Sequence, residues 1–160
     1  MPQAVKPVPE GSHTVTPYLA LRDAARALDF YKKAFGAEEI MRMPMPGGGI
    51  MHAEIRIGDS QVMLSDEFPG AGVKSPESAG TTTASLYLYV EDVDAAFHRA
   101  VAAGARPVMP PADMFWGDRY ASVADPFGHQ WGIATHKEDV PPEEMKRRGA
   151  EWMSKMGQPG

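Results

Sequence analysis

His52 and Glu54 are the side chains whose types and spacing come nearest to chemistry. They stand two residues apart in the alternating run 51–57 (MHAEIRI). In a strand that spacing puts both on one face with Cα atoms about 6–7 Å apart. An imidazole beside a carboxylate can move a proton, hold a polar ligand or, with a third ligand from elsewhere, form a displaced metal site. The plainer reading is a structural His52–Glu54–Arg56 network, because a carboxylate on a sheet face is costly unless paired. A second group lies in the loop 113–119 (DMFWGDR). Phe115 and Trp116 offer rigid aromatic surface, while Asp118 and Arg119 can pair with each other or bind an anion; the alternative is a packed loop held by that pair. His129, after Gly128 at a strand start, reads as a turn anchor or as a rim contact to ligand. His13 and His136 read as surface residues, and His98, beside Arg99, as solvated. Met41, Met43, Met45 and Met51 suit an adaptable wall or the filling of core gaps. There is no cysteine, hence no disulfide and no thiolate nucleophile or ligand. Gly47-Gly48-Gly49 lacks the Lys-Ser/Thr and helix of a phosphate-binding loop.

The elements that hold these groups can be read from periodicity. Residues 13–21 alternate as an edge strand, with Val15, Pro17, Leu19 and Leu21 on one face and Thr16, Tyr18 and Ala20 on the other. Asp23 caps a helix ending at Phe35, with Gly36 as its stop. A short strand at 40–45 and a turn at 46–49 lead into the strand 51–57, whose Met51, Ala53, Ile55 and Ile57 are predicted to lie under the helix. Gly58-Asp59 forms a tight hairpin onto 61–65. Residues 68–83 read as a linker without periodicity. The pattern then restarts with a strand at 85–90, a helix at 93–103 stopped by Gly104, a short strand at 106–109 broken by Pro110-Pro111, and strands at 118–124 and 129–135. Residues 142–156 predict an amphipathic helix with Met145, Gly149, Trp152 and Met156 on one stripe, docked on its own domain or on a partner subunit; the alternative, a membrane-surface role, is weakened by the lack of a basic face.

The restart is an internal repeat. YLALRDAARALDFYKKAFGA, residues 18–37, aligns with YLYVEDVDAAFHRAVAAGA, residues 87–105, after a one-residue deletion. Repeated units of this size pack together because neither covers its own sheet face. The reading is an α+β chain: an extended lead-in 1–12, a domain 13–140 made of module one (13–67), a linker (68–83) and module two (84–136), and a C-terminal helix and tail 141–160. Sixteen Lys and Arg against twenty-one Asp and Glu, a net charge of −5 in 160 residues, argue against a nucleic-acid binder. No stretch approaches the roughly 20 apolar residues of a membrane span, and the Pro-rich start lacks the apolar core of a secretory signal. A cytoplasmic location follows as the expectation.

The two βαβββ modules, LDFYKKAFGAE at the end of the first helix and GDRYASVADPFGHQWGIAT at the end of the second module together resemble the vicinal oxygen chelate superfamily of glyoxalases, bleomycin resistance proteins and dioxygenases. VTPYLALRDAARALDFYKKAFGAEE, MHAEIRIGDSQVMLSDE and DPFGHQWGIATHKEDV resemble its PhnB-like branch. The resemblance spans 13–140 and implies two tandem βαβββ modules forming curved mixed sheets around a cleft. It also implies a metal ligand on the first and fourth strand of each module. Those positions fall on Thr16, Met63, Ser85 and Gly132, and hydroxyls and a thioether hold divalent ions poorly. The expectation is therefore no family metal and no other cofactor. On the faces that the fold turns toward its cleft, alternation puts Tyr18, His52, Glu54, Met63, Tyr87 and Tyr89. Trp116 and Arg119 lie in the segment that borders the cleft in the family. These eight are the predicted ligand-binding residues for a small aromatic or amphipathic molecule, held by sequestration in one form of this reading. The alternative is a lyase- or dioxygenase-type enzyme using relocated ligands or a His52/Glu54 acid–base pair. Family members often dimerise, with modules from two chains completing each cleft, so a homodimer is expected.

Overall fold

The computed structural model describes residues 1, 4–70 and 72–157; Gln158, Pro159 and Gly160 of the expected tail lie outside the described residues. The elements run β1 (Tyr18–Leu21), α1 (Ala24–Phe35), β2 (Glu38–Pro44), β3 (Ile50–Ile57), β4 (Ser60–Asp66), α2 (Pro76–Ala79), β5 (Ser85–Tyr89), α3 (Val93–Ala103), β6 (Arg106–Asp113), β7 (Asp118–Ala124), β8 (Gln130–His136) and α4 (Pro142–Met156). The repeat is therefore structural. Each module forms a four-stranded mixed sheet, in the orders β1-β4-β3-β2 and β5-β8-β7-β6, with the first strand parallel to the fourth. The α+β class and the tandem modules are as expected.

Both long helices begin by the same device. The Asp23 carboxylate accepts the Arg26 N–H and the Asp92 carboxylate that of Ala95, each satisfying a first-turn donor. Gly36 closes α1 at φ 66°, a conformation that glycine adopts without strain.

Four elements differ from the periodic reading. The first strand begins only at Tyr18, and Val15 is exposed, because residues 13–17 instead follow the β3–β4 turn, with the His13 ring 3.1 Å from the Asp59 carbonyl. In β3, Ile50 rather than Met51 is buried: the Asp66 carboxylate takes the Ile50 N–H at 2.6 Å, and a register shift opposite Met43 and Pro44 turns Met51 outward. Strand β6 continues through Pro110-Pro111 to Asp113. It is an edge strand, where a missing N–H removes no obligatory ladder bond, and its register shifts between Met109 and Ala112. The linker holds α2, a single turn capped by Ser75 and too short to show a period.

The modules meet through their helices. Helix α1 packs against α3, and Arg99 of α3 donates to the Lys33 carbonyl at the end of α1 at 2.7 Å. Buried Tyr31 of α1 donates to Asp125 at 2.6 Å, and Trp131 of β8 donates to the same carboxylate oxygen at 3.0 Å. Phe127 wedges its ring against Phe30 and Tyr31. The helix-covered faces of the two sheets are thus turned toward the junction, the sheets are not closed on one another, and their opposite faces are open.

Candidate functional site

On the open face of module one, pairing across the sheet lines up Tyr18, Met63, Glu54 and Met41 in one row. His52 lies one step along β3 on the same face. Its Nδ1 is 3.0 Å from the Tyr18 hydroxyl and its Nε2 is 3.1 Å from Glu54 Oε1. A proton on Nε2 satisfies both contacts, since the ring then donates to Glu54 and accepts from Tyr18. Arg56 does not join this network; it pairs with Glu38 at 2.8 Å. The arrangement is a Tyr–His–Glu chain, with Tyr18 49% exposed at its open end. It can pass a proton toward Glu54 or present hydrogen-bonding groups to a bound molecule.

On the open face of module two the organising group is Asp118, only 3% exposed. One carboxylate oxygen accepts from Tyr87 at 2.8 Å, Tyr89 at 3.2 Å and Trp116 Nε1 at 3.2 Å. The other lies 2.7 Å from His136 Nδ1. Burial raises the Asp118 pKa, but the His136, Tyr87, Tyr89 and Trp116 donors outweigh it and hold the group below its ordinary value. Burial, with the Asp118 charge behind it, pushes the Tyr87 hydroxyl well up. Tyr120 stacks on Tyr87 with ring centroids 5.4 Å apart, and Trp116 meets Tyr120 nearly edge-on. The result is an aromatic surface whose hydroxyl protons are committed to a buried anion; Tyr87 and Tyr89 remain 45% and 63% exposed.

The loop that carries Trp116 is held from behind. The Gly117 carbonyl accepts from the backbone N–H groups of Lys137 and Glu138, and a Cβ at Gly117 would overlap the Glu138 carbonyl. Phe115 packs on Trp152 and against Gly149 of α4, and Arg148 ties α4 to Glu138 at 2.9 Å. Helix α4 therefore docks on its own chain.

Of the predicted site residues, the structure brings Tyr18, His52, Glu54 and Met63 together on module one, and Tyr87, Tyr89 and Trp116 together on module two. Arg119 joins neither group. Strand alternation turns it to the helix side, where it forms ion pairs with Asp94 of α3 at 2.7 Å and Asp113 at 3.2 Å. The Asp118–Arg119 pair expected from their adjacency therefore does not form. Asp118, Tyr120 and His136 belong to the cluster but were not singled out from the sequence as binding residues. Alternation was the available signal, since Asp118 and Tyr120 pair with His136 and Ala134 across β7 and β8.

The residues present do not fit the family's metal. Thr16 lies before β1, Met63 offers a thioether and Ser85 a hydroxyl. At Gly132 a Cβ would stand 2.8 Å from the Tyr120 ring and 3.1 Å from the Tyr87 ring, so two aromatic side chains fill the volume a ligating side chain would need. Among the described residues, no three or more His, Cys, Asp or Glu side chains are grouped to hold a metal ion.

A family model described as the Glyoxalase/Bleomycin resistance protein/Dioxygenase superfamily matches residues 12–133. An uncharacterized protein of Mycobacterium bovis, Mb0911c, is 45% identical over 135 residues, covering 82% of this chain and 89% of its own. The crystal structure of TioX from Micromonospora sp. ML1 is similar at 34% identity with a TM-score of 0.63, over 78% of this chain and 99% of that one. The PhnB protein of Bacillus cereus shares the fold at 20% identity with a TM-score of 0.61, over 77% of this chain and 99% of that one. No helix among the described residues is long and apolar enough to cross a membrane.

Proposed function

The chain belongs to the glyoxalase/bleomycin resistance protein/dioxygenase superfamily, and from that premise we propose that it is a small-molecule-binding protein that works without the superfamily's usual metal. Its ligand is a flat, aromatic or amphipathic molecule taken between the Tyr18–His52–Glu54 face and the Tyr87–Tyr89–Trp116 face. The observation that carries this reading is the filling of the Gly132 position by the Tyr87 and Tyr120 rings, which replaces a ligating side chain with a stacking surface. A second copy of the chain supplies the opposing face, because within one chain the two open faces lie on either side of the helix junction. The PhnB-like character rests on the segments 15–39, 51–67 and 125–140 and on the fold likeness to the Bacillus cereus protein.

The hydrogen-bonded Tyr18–His52–Glu54 chain favours a second reading, an acid–base catalyst on the same face. A thermal-shift screen against aromatic antibiotics and glutathione adducts, run on metal-analysed protein, separates the two. The binding reading expects a hit that is recovered chemically unchanged and whose affinity drops at least about tenfold in Tyr87→Ala. Turnover that vanishes in Glu54→Gln supports the catalytic reading. Stoichiometric metal bound through His52 and Glu54, or the lack of any hit that weakens in both Tyr18→Ala and Tyr87→Ala, overturns the first.

A further inference from the structure

A cavity of about 730 Å³ lies between the modules against the free edge of β5. Its walls include Phe35 of α1, Leu86 and Leu88 of β5, Ala95 and Ala96 of α3, and Trp131. Of the predicted ligand-binding residues only Tyr87 and Tyr89 touch it.

The repeat explains why the space is there. Cap to cap, Asp23 corresponds to Asp92, so Arg26, Phe30 and Tyr31 correspond to Ala95, Arg99 and Ala100. On the filled side of the pseudo-twofold, Phe127 sits in the β7–β8 turn. Its ring lies between Phe30, Tyr31 and the Arg26 guanidinium and is only 2% exposed. On the other side the β3–β4 turn is Gly58-Asp59, one residue shorter than Pro126-Phe127-Gly128, with no aromatic plug. His129 reaches the β1 edge at the Ala20 carbonyl, 3.0 Å away, whereas its counterpart Ser60 turns its hydroxyl to Asp59. Two large side chains are thus replaced by Ala100 and by Arg99, which is drawn off to the Lys33 carbonyl. The cavity is the vacated counterpart of the Phe127 site.

We propose that this cavity, which meets the open face of module two only at Tyr87 and Tyr89, is a second ligand site that takes a neutral planar aromatic molecule of one or two rings where module two uses Phe127. Its volume falls within the range of small-molecule sites, and its walls are mostly apolar. Charge selects against anions. Asp59 and Glu91 are among the lining residues, while the one guanidinium, Arg99, is committed to the α1 carbonyls. The free edge of β5 offers backbone groups to a single N–H or O–H on the ring system.

Indole is the probe, read by calorimetry and by the two indole N–H resonances that report the two places: Trp131 in the cavity, Trp116 on the open face. Indole is expected to shift Trp131 and leave Trp116 in place. Its affinity is expected to fall at least about tenfold in Ala95→Phe and in a chain whose Gly58-Asp59 turn is replaced by Pro-Phe-Gly, both of which restore the missing ring. Indole-3-carboxylate is expected to bind at least about tenfold more weakly than indole. No binding, a shift at Trp116 alone, equal binding of the carboxylate, or undiminished affinity in Ala95→Phe overturns the proposal. So does a change of Ala95→Phe from dimer to monomer, since the β5 edge would then be a subunit contact. If the turn replacement does not fold, Ala95→Phe decides alone.

Discussion

At the scale of single residues, Gly132 stands where the superfamily resemblance implies a metal ligand, with two aromatic rings packed against it. A methyl group there must displace the Tyr120 or Tyr87 ring, so Gly132→Ala is expected to destabilise the protein by about 1–3 kcal/mol in urea unfolding. Unchanged stability would mean the rings move aside freely and the volume is not truly filled. His136 gives a pH signature. Hydrogen bonds to Asp139 and then Asp118 raise its pKa above 6.5. A group whose folded pKa is raised contributes stability that is complete below its unfolded value and is lost as pH rises through the folded value. The melting temperature of the native protein relative to His136→Gln is therefore expected to be higher at about pH 5.5 than at about pH 8.5; a difference independent of pH defeats the assignment. The site was legible in part for a clear reason. Alternation put Tyr18, His52, Glu54, Tyr87 and Tyr89 on the faces that the structure leaves open, because a period of two is printed in the sequence. The role of Asp118 was hidden by its neighbour Arg119, since adjacency suggests an ion pair while a strand sends the two side chains to opposite faces.

At the scale of elements, the helices were legible almost to the residue because their ends are set by local chemistry, Asp23 and Gly36 for one, Asp92 and Gly104 for the other. The strands were less so. Pro110-Pro111 reads as a break because two adjacent prolines remove two ladder donors, a loss that only an edge strand tolerates, and the bulge that turns Met51 out depends on Asp66, fifteen residues further along the chain. Asp125 ties the elements into one body. Its one oxygen accepts the buried Tyr31 hydroxyl and the Trp131 indole N–H, and its other accepts the Phe127 and His129 N–H groups. Asp125→Ala leaves the two side-chain donors buried without an acceptor, at about 1–3 kcal/mol each. The expected result is a lowered urea midpoint shared by probes in both modules. A loss confined to module two would show that the junction does not depend on this carboxylate. Helix α4 lies beyond the family match at 12–133 and backs the Trp116 loop through Phe115, Gly149 and Arg148.

At the scale of the whole molecule, the consequence of helix-to-helix packing is that one chain carries two open sheet faces turned apart, which the proposed function reads as two half-sites. Tyr18 and Tyr87 are counterparts in the repeat, each standing about half exposed on an open face, and a two-fold dimer that sets module one of one copy against module two of the other covers both at once. Such a dimer has a distinctive genetics. Tyr18→Ala damages the module-one half of every site and Tyr87→Ala the module-two half, so each variant alone binds weakly. When the two are unfolded and refolded together, half of the dimers are hybrids, and each hybrid pairs one doubly damaged site with one that is intact. About a quarter of the sites should then regain the affinity of the native protein, measured as the high-affinity fraction in a titration with any ligand from the thermal-shift screen. If the mixture binds no better than its components, the two faces do not meet across a dimer, and ligand must be held on one face alone.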